Sequence, residues 1–400
     1  MQLLPLLTVA LAAAVLYALN RRLGRLPATI GVTIWALVAS LALVAAGALG
    51  WRVHDFARAF VDRVHFRETL LEGMLSLLLF AGALEVDVPA LLGEKALVAA
   101  LATMGVALST AIVGGLVLLA ARLSGLSLTL GDSLLFGAII SPTDPIAVLG
   151  MLRTAHAPKR LEVQMAGESL FNDAVGVVVF FALYAIAAGR TVGAAAIALT
   201  FARQVAGGAA LGLGVGWLAR RLLAKYCRPP LGLVVTLLLA AGLQPLARVL
   251  QVSGYLAVII AGLMVGSLQL GGRLRHFWEI VDEGLNVVLF TMVGLEVLVV
   301  PFTPRLLAAG LLAIPIVLLA RLLVVGGTLA PFARRLDLPP RAIAILTWGG
   351  LRGGLAIALA LSVGPEVPSA PILLALTYVV VVFSIVVQGL SFKRLLAPPT

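Results

Sequence analysis

Stretches of about 20 mostly apolar residues recur along the chain, cut by short clusters of charge, Pro and Gly. Thirteen can be marked: 3–19, 28–50, 67–86, 96–121, 129–153, 161–188, 193–219, 231–250, 252–270, 277–299, 304–331, 340–362 and 369–391. At 1.5 Å per residue, each is long enough as a helix to cross most or all of a hydrocarbon layer of about 30 Å. The pattern predicts an all-α polytopic membrane protein, one membrane domain over residues 1–400. Composition agrees. The chain is 62% hydrophobic and 12% charged, with a mean hydropathy of +1.12. That exceeds what a soluble domain buries. Abundant Gly fits close helix packing in lipid. A single cysteine, Cys227, excludes an intrachain disulfide framework and a four-cysteine metal site. No A-x-A pattern follows the first apolar stretch, so residues 3–19 read as a retained span.

The net charge of +11 is distributed as loop charge, not as a nucleic-acid-binding face. With the N-terminus outside, 18 Lys and Arg fall in loops on the inner side and 9 on the outer; Arg321 and Arg352 lie within spans. This bias predicts a cell-membrane protein with its N-terminus out and its C-terminus cytoplasmic. Arg52 to Arg67 run against the bias, but Asp55, Asp62 and Glu68 accompany them. That segment reads as an interfacial amphipathic helix.

The chain matches itself at an offset of 211. Glu72-Gly73 aligns with Glu283-Gly284, Leu78 with Leu289, and Leu84-Glu85-Val86 with Leu295-Glu296-Val297. The third span therefore pairs with the tenth. Seven spans separate them, an odd number, so the copies enter the membrane in opposite directions. This predicts two inverted-topology six-helix repeats, 1–190 and 226–400, joined by a linking helix within 191–225.

Two spans should be discontinuous. The fifth carries Ser141-Pro142-Thr143-Asp144-Pro145, and its prolines deprive the Ala138 and Ser141 carbonyls of their helical donors. Asp144 would stand at the start of a half-helix, where a carboxylate complements the positive dipole end. The twelfth, its repeat mate, carries Gly349-Gly350-Leu351-Arg352-Gly353-Gly354. Irregular backbone at membrane depth is tolerated only where it packs against protein or lines a wet cavity. Paired breaks in corresponding helices point to a transport site.

The sixth span carries Glu168-Ser169-Leu170-Phe171-Asn172-Asp173. Ser169 and Asp173 share one helical face; Glu168 and Asn172 share the next. The first face offers only oxygen, which suits a hard cation. Arg352, if buried, needs a partner, and Glu168 is the expected one. Glu72 either completes an ion site or lies near the outer interface. Glu283 is expected at the surface beside the basic residues 273–276. Arg321 is expected to find a buried partner. His54, His65, His156 and His276 are expected in solvated loops.

Ser141-Pro-Thr-Asp-Pro145, Glu168-Ser-Leu-Phe-Asn-Asp173 and Gly350-Leu-Arg-Gly353, in this order, resemble the motifs of the monovalent cation:proton antiporters. The similarity is to the branch of NhaP-type antiporters and sodium/proton exchangers, and it covers essentially the whole chain. It implies that Asp173 carries either cation or proton, with Ser169, Thr143 and Glu72 as further cation ligands. It implies that Asn172 and Asp144 organise the crossing helices, that Glu168 and Arg352 form an ion pair, and that Arg321 is the family's arginine of the eleventh helix. It further implies a homodimer, with core helices about 96–188 and 304–391 and dimer-facing helices about 1–86 and 193–299. The Asn172-Asp173 pair goes with electroneutral exchange, one cation for one proton. The large cytoplasmic tail of the animal exchangers is not found in these 400 residues, so regulation is expected at the site itself.

The expected function is alternating-access exchange of sodium, or lithium, for protons, the two competing for Asp173, with no cofactor and a role in pH homeostasis. One carboxylate and a few oxygens fit potassium equally. A channel would need a continuous polar lining, whereas the polar residues cluster at one depth. An intramembrane enzyme would need a metal triad, and no His/Cys/Glu spacing provides one.

Overall fold

A computed structural model describes residues 3–24, 26–50, 53–155, 157–189, 193–226, 229–268, 271–330 and 341–396. Arg25, Arg52, His156, Arg190, Cys227, Arg228, Arg334 and Arg335 lie outside the described residues. Among the described residues, each of the thirteen spans contains helix: α1 Leu3–Leu19, α2 Ala28–Ala48, α3 over 66–85, α4 Lys95–Ser124, α5 in halves Leu130–Ile140 and Ile146–Thr154, and α6 Lys159–Ala187. There follow α7 Ala194–Tyr226, α8 Pro229–Leu250, α9 Gly254–Gly266, α10 Gly272–Leu295, α11 Pro304–Leu329, α12 in halves Ala342–Trp348 and Gly354–Leu361, and α13 Ala370–Leu396. A further helix, Val53–Val64, buries Val61 and Val64 and leaves Phe56 77% exposed, as an interfacial amphipathic helix does. His276 lies on α10, not in a loop, because the helix begins at Gly272.

Helix starts follow local chemistry. Thr129 and Asp132 form a reciprocal capping box at α5. Ser253 caps α9, and Thr303 followed by Pro304 starts α11. Three spans contain a stretch of π-helix: Thr69–Met74 in α3, Leu101–Gly105 in α4 and Ser384–Gln388 in α13.

Packing obeys the repeat. α2 packs on α10, and its counterpart α9 packs on α3. α4 packs on α5 as α11 packs on α12, and α4 also meets α11. Helices α1–α3 and α7–α10 pack chiefly with one another, and α4–α6 with α11–α13. The outer faces stay apolar, as lipid requires. Leu4, Leu11, Leu199, Leu213, Leu218 and Leu311 are each more than half exposed.

Candidate functional site

The two breaks meet at the centre of the fold. Between the halves of α5, Asp144 N–H donates to the Leu351 carbonyl at 2.8 Å, and the Asp144 carboxylate accepts from the Ile146 N–H at 3.1 Å, capping the second half. Arg352, 2% exposed, donates to the Ser141 carbonyl at 2.5 Å and the Pro142 carbonyl at 2.9 Å. The Ser141 carbonyl orphaned by Pro145 is thus satisfied by a guanidinium from the opposite break. A cation at a helix C-terminal end is also favoured by the dipole. The backbones approach so closely that a Cβ at Gly353 would overlap the Asp144 carboxylate.

Helix α6 holds the break of α5 in place. Asn172 Nδ2 donates to Thr143 Oγ1 at 2.8 Å, and its Oδ1 accepts from the Thr143 N–H at 3.3 Å. Ser169 Oγ donates to the Thr143 carbonyl at 2.6 Å. The Ser169 proton is therefore committed, and its lone pairs remain to serve a cation. One turn on, Asp173 is half-buried and makes no hydrogen bond or ion pair among the described residues.

Glu168 does not pair with Arg352. Its partner is Arg321, which binds both carboxylate oxygens, one through Nη1 and the other through Nη2 at 2.9 Å. Arg321 also donates to the Leu346 carbonyl at 3.1 Å, at the end of the first half of α12. Each buried arginine thus caps one broken helix. Arg352 is compensated by carbonyl dipoles, while Arg321 takes the carboxylate, its guanidinium lying so close to Gly350 that a Cβ there would overlap it.

Thr143, Asp144, Ser169 and Asp173 line one cavity of about 1190 Å³, which Glu85, Asp87, Arg153, Lys159, Arg275 and Glu279 also line. Eight carboxylates but only three cationic side chains line it. At its mouth, Arg153 bridges Glu162 at 2.6 Å and Glu85 at 3.5 Å, and Lys159 bridges Asp87 at 2.7 Å. The Lys159 ammonium, followed by the Ala90 N–H, holds the Asp87 carboxyl below its ordinary value. Glu283 lines the cavity and accepts from the Tyr17 hydroxyl at 2.8 Å.

Glu72 is not part of this group. It is 59% exposed, lies 3.6 Å from Arg248, and lines a second cavity of about 850 Å³ with Val177, Phe181 and Tyr184 of α6. Asp173 faces the mouth side of the crossing and Glu72 the other. Sequence reasoning missed the mouth carboxylates and Ser384, whose Oγ accepts from the Arg352 N–H at 2.9 Å. Ser384 stands 211 residues after Asp173, so the repeat offset was the signal that could have found it.

This geometry has matches among known proteins. The profile of the family described as sodium/hydrogen exchanger, transmembrane, matches residues 8–397. The chain belongs to the sodium/hydrogen exchanger family. The Na(+)/H(+) antiporter NhaP of Pseudomonas aeruginosa is 40% identical over 401 residues, which cover 97% of this chain and 94% of that protein. The Na(+)/H(+) antiporter NhaH of Halobacillus dabanensis is 30% identical over 359 residues, 86% of each chain. The solved structure of the sodium proton antiporter MjNhaP1 from Methanocaldococcus jannaschii at pH 8 superposes with a TM-score of 0.77 over 99% of both chains, at 17% identity. At that identity the likeness establishes the exchanger fold, with its inverted repeats and crossed breaks.

Proposed function

We propose that this exchanger moves sodium, or lithium, against protons across the cell membrane, one for one, with both competing for Asp173. The observation that carries this is the unpartnered Asp173 carboxylate beside Ser169 Oγ and the Thr143 carbonyl, an all-oxygen set on a wet cavity. A single bound cation or a single proton neutralises that carboxylate equally. An empty, charged site crosses a low-dielectric barrier poorly, so the site travels loaded. Exchange then needs no other energy source than the two gradients.

The positive-inside bias assigns the large mouth to the cytoplasm, with the N-terminus outside and the C-terminus within. The cavity holding Glu72 then faces outward. The separate packing of α4–α6 with α11–α13 supports a core that moves against α1–α3 and α7–α10. The exposed apolar face of that second group fits a homodimer contact in lipid.

Purified protein in liposomes with an imposed sodium gradient and a pH-sensitive dye tests the assignment. Wild type is expected to move protons on addition of lithium or sodium, and Asp173→Asn to move none. Exchange by Asp173→Asn at the wild-type rate would refute it. A parallel run with potassium decides between the sodium and potassium readings.

A further inference from the structure

We propose that Ser384 and Gln388 of α13 are positioning residues of the cation site, acting on the Thr143 carbonyl through a one-way chain of hydrogen bonds. Ser169 Oγ donates to the Thr143 carbonyl at 2.6 Å. The N–H of the same Thr143–Asp144 peptide donates to the Leu351 carbonyl at 2.8 Å. The N–H of the Leu351–Arg352 peptide donates in turn to Ser384 Oγ at 2.9 Å. Ser384 Oγ donates to Gln388 Oε1 at 2.7 Å, and Gln388 Nε2 donates to the Trp348 carbonyl at 3.0 Å. A trans peptide carries its N–H opposite its carbonyl, so two peptide planes pass the chain across both breaks.

The direction is fixed at both ends. A carbonyl oxygen only accepts, so Ser169 must donate to Thr143, and the Gln388 amide must turn its NH2 group towards Trp348. Gln388 Oε1 then faces Ser384, whose hydroxyl donates to it and accepts from the Arg352 N–H. Every bond therefore points the same way. Aligned hydrogen bonds polarise one another, by about 10–30% per bond, and both side chains are buried, where the low dielectric strengthens them. A more polarised Thr143–Asp144 peptide carries more negative charge on its carbonyl oxygen, which strengthens that oxygen as a cation ligand.

The repeat gives the arrangement its logic. Ser384 stands 211 positions after Asp173, at the same place in the second copy. Where the first copy presents the carboxylate, the second presents a hydroxyl that serves the first copy's site. The role deepens the exchange reading and rests on it for the assignment of the Thr143 carbonyl.

Initial exchange rates in liposomes, measured against sodium concentration, test the chain. Ser384→Ala and Gln388→Leu should each raise the apparent KM about three- to tenfold, the net worth of one hydrogen bond, with kcat within about twofold of wild type. Both cut one chain, so the double variant should be no worse than the more affected single one. Ser391→Ala removes the bond from the Trp348 indole on the same helix, outside the chain, and should leave KM at the wild-type value. Ser384→Ala removes a single oxygen atom and decides the question where Gln388→Leu fails to fold. A wild-type KM in Ser384→Ala, losses that add in the double variant, or an equal rise in Ser391→Ala would each overturn the proposal. Hydrogen exchange in detergent reads the chain without transport. The Asp144 and Arg352 amides should exchange faster in Ser384→Ala, and unchanged amides would equally overturn it. Should Asp173→Asn exchange ions at the wild-type rate, the exchange reading fails while the amide result stands by itself.

Discussion

Arg352 donates to the Ser141 carbonyl at 2.5 Å, and the two residues are 211 positions apart. That separation is the offset of the internal repeat. Residues related by a two-fold axis touch only close to the axis, so the axis runs through the crossing. The relation is chemically unequal. The first copy offers carbonyls freed by proline, and the second offers a guanidinium. Duplication produced the geometry, and divergence made its halves complementary.

Removing that guanidinium should be costly. Arg352→Met leaves the Ser141 and Pro142 carbonyls without their buried donor. At about 1–3 kcal/mol for each unsatisfied group, a loss of several kcal/mol is expected. Thermal unfolding in detergent should show a large drop in midpoint. Arg352→Lys should recover part of it, since a single atom, Nη1, contacts both carbonyls.

The partner of Glu168 can be settled by a double-mutant cycle. Glu168→Gln strands Arg321, and Arg321→Met strands Glu168, so each single change should cost about 3–5 kcal/mol. The double variant should be more stable than the sum of the two losses predicts. A cycle between Glu168 and Arg352 should show little coupling by comparison. Strong coupling of Glu168 to Arg352 in thermal unfolding would reverse the assignment.

The helices and their two breaks are legible in the sequence because lipid leaves few alternatives. Twenty apolar residues must be helical, and Pro142 with Pro145 cannot continue a helix. The Ser169–Asp173 face follows from helical period alone. The pairing of Glu168 does not, because two buried arginines compete for one carboxylate. The choice depends on which half-helix end each arginine caps, a tertiary fact. Glu72 misleads for a similar reason. Its depth along α3 is readable, but the face it presents within the Thr69–Met74 stretch of π-helix is not.

The Asp87–Lys159 pair makes a pH prediction. Asp87 is held below its ordinary value of 3.8 by Lys159 and the Ala90 N–H. A depressed carboxylate contributes above its unfolded value, and that contribution is lost only as pH falls through the lower folded value. Between about pH 5 and 9 the pair therefore stays ionised and contributes a constant amount. Asp87→Asn should leave the pH profile of exchange unmoved, measured as initial rate from pH 5 to 9. A shifted profile would place a titrating group at the mouth, not at the crossing.

Glu72 offers the sharpest contrast with Asp173, because both are carboxylates on helices beside the crossing yet they line different cavities. Glu72 is 59% exposed with Arg248 at 3.6 Å, an arrangement worth little in stability. Its charge sits where cations would gather on the side away from the large mouth. Glu72→Gln should therefore fold normally and retain exchange, unlike Asp173→Asn. Its effect should be one-sided. The apparent KM for sodium should rise when sodium is supplied from the Glu72 side, and stay at the wild-type value from the mouth side. Right-side-out and inside-out vesicles of the same variant make the comparison. Equal loss from both sides would mean that Glu72 reaches the shared site in the course of the cycle, which would restore it to the ligand set of Asp173 and Ser169.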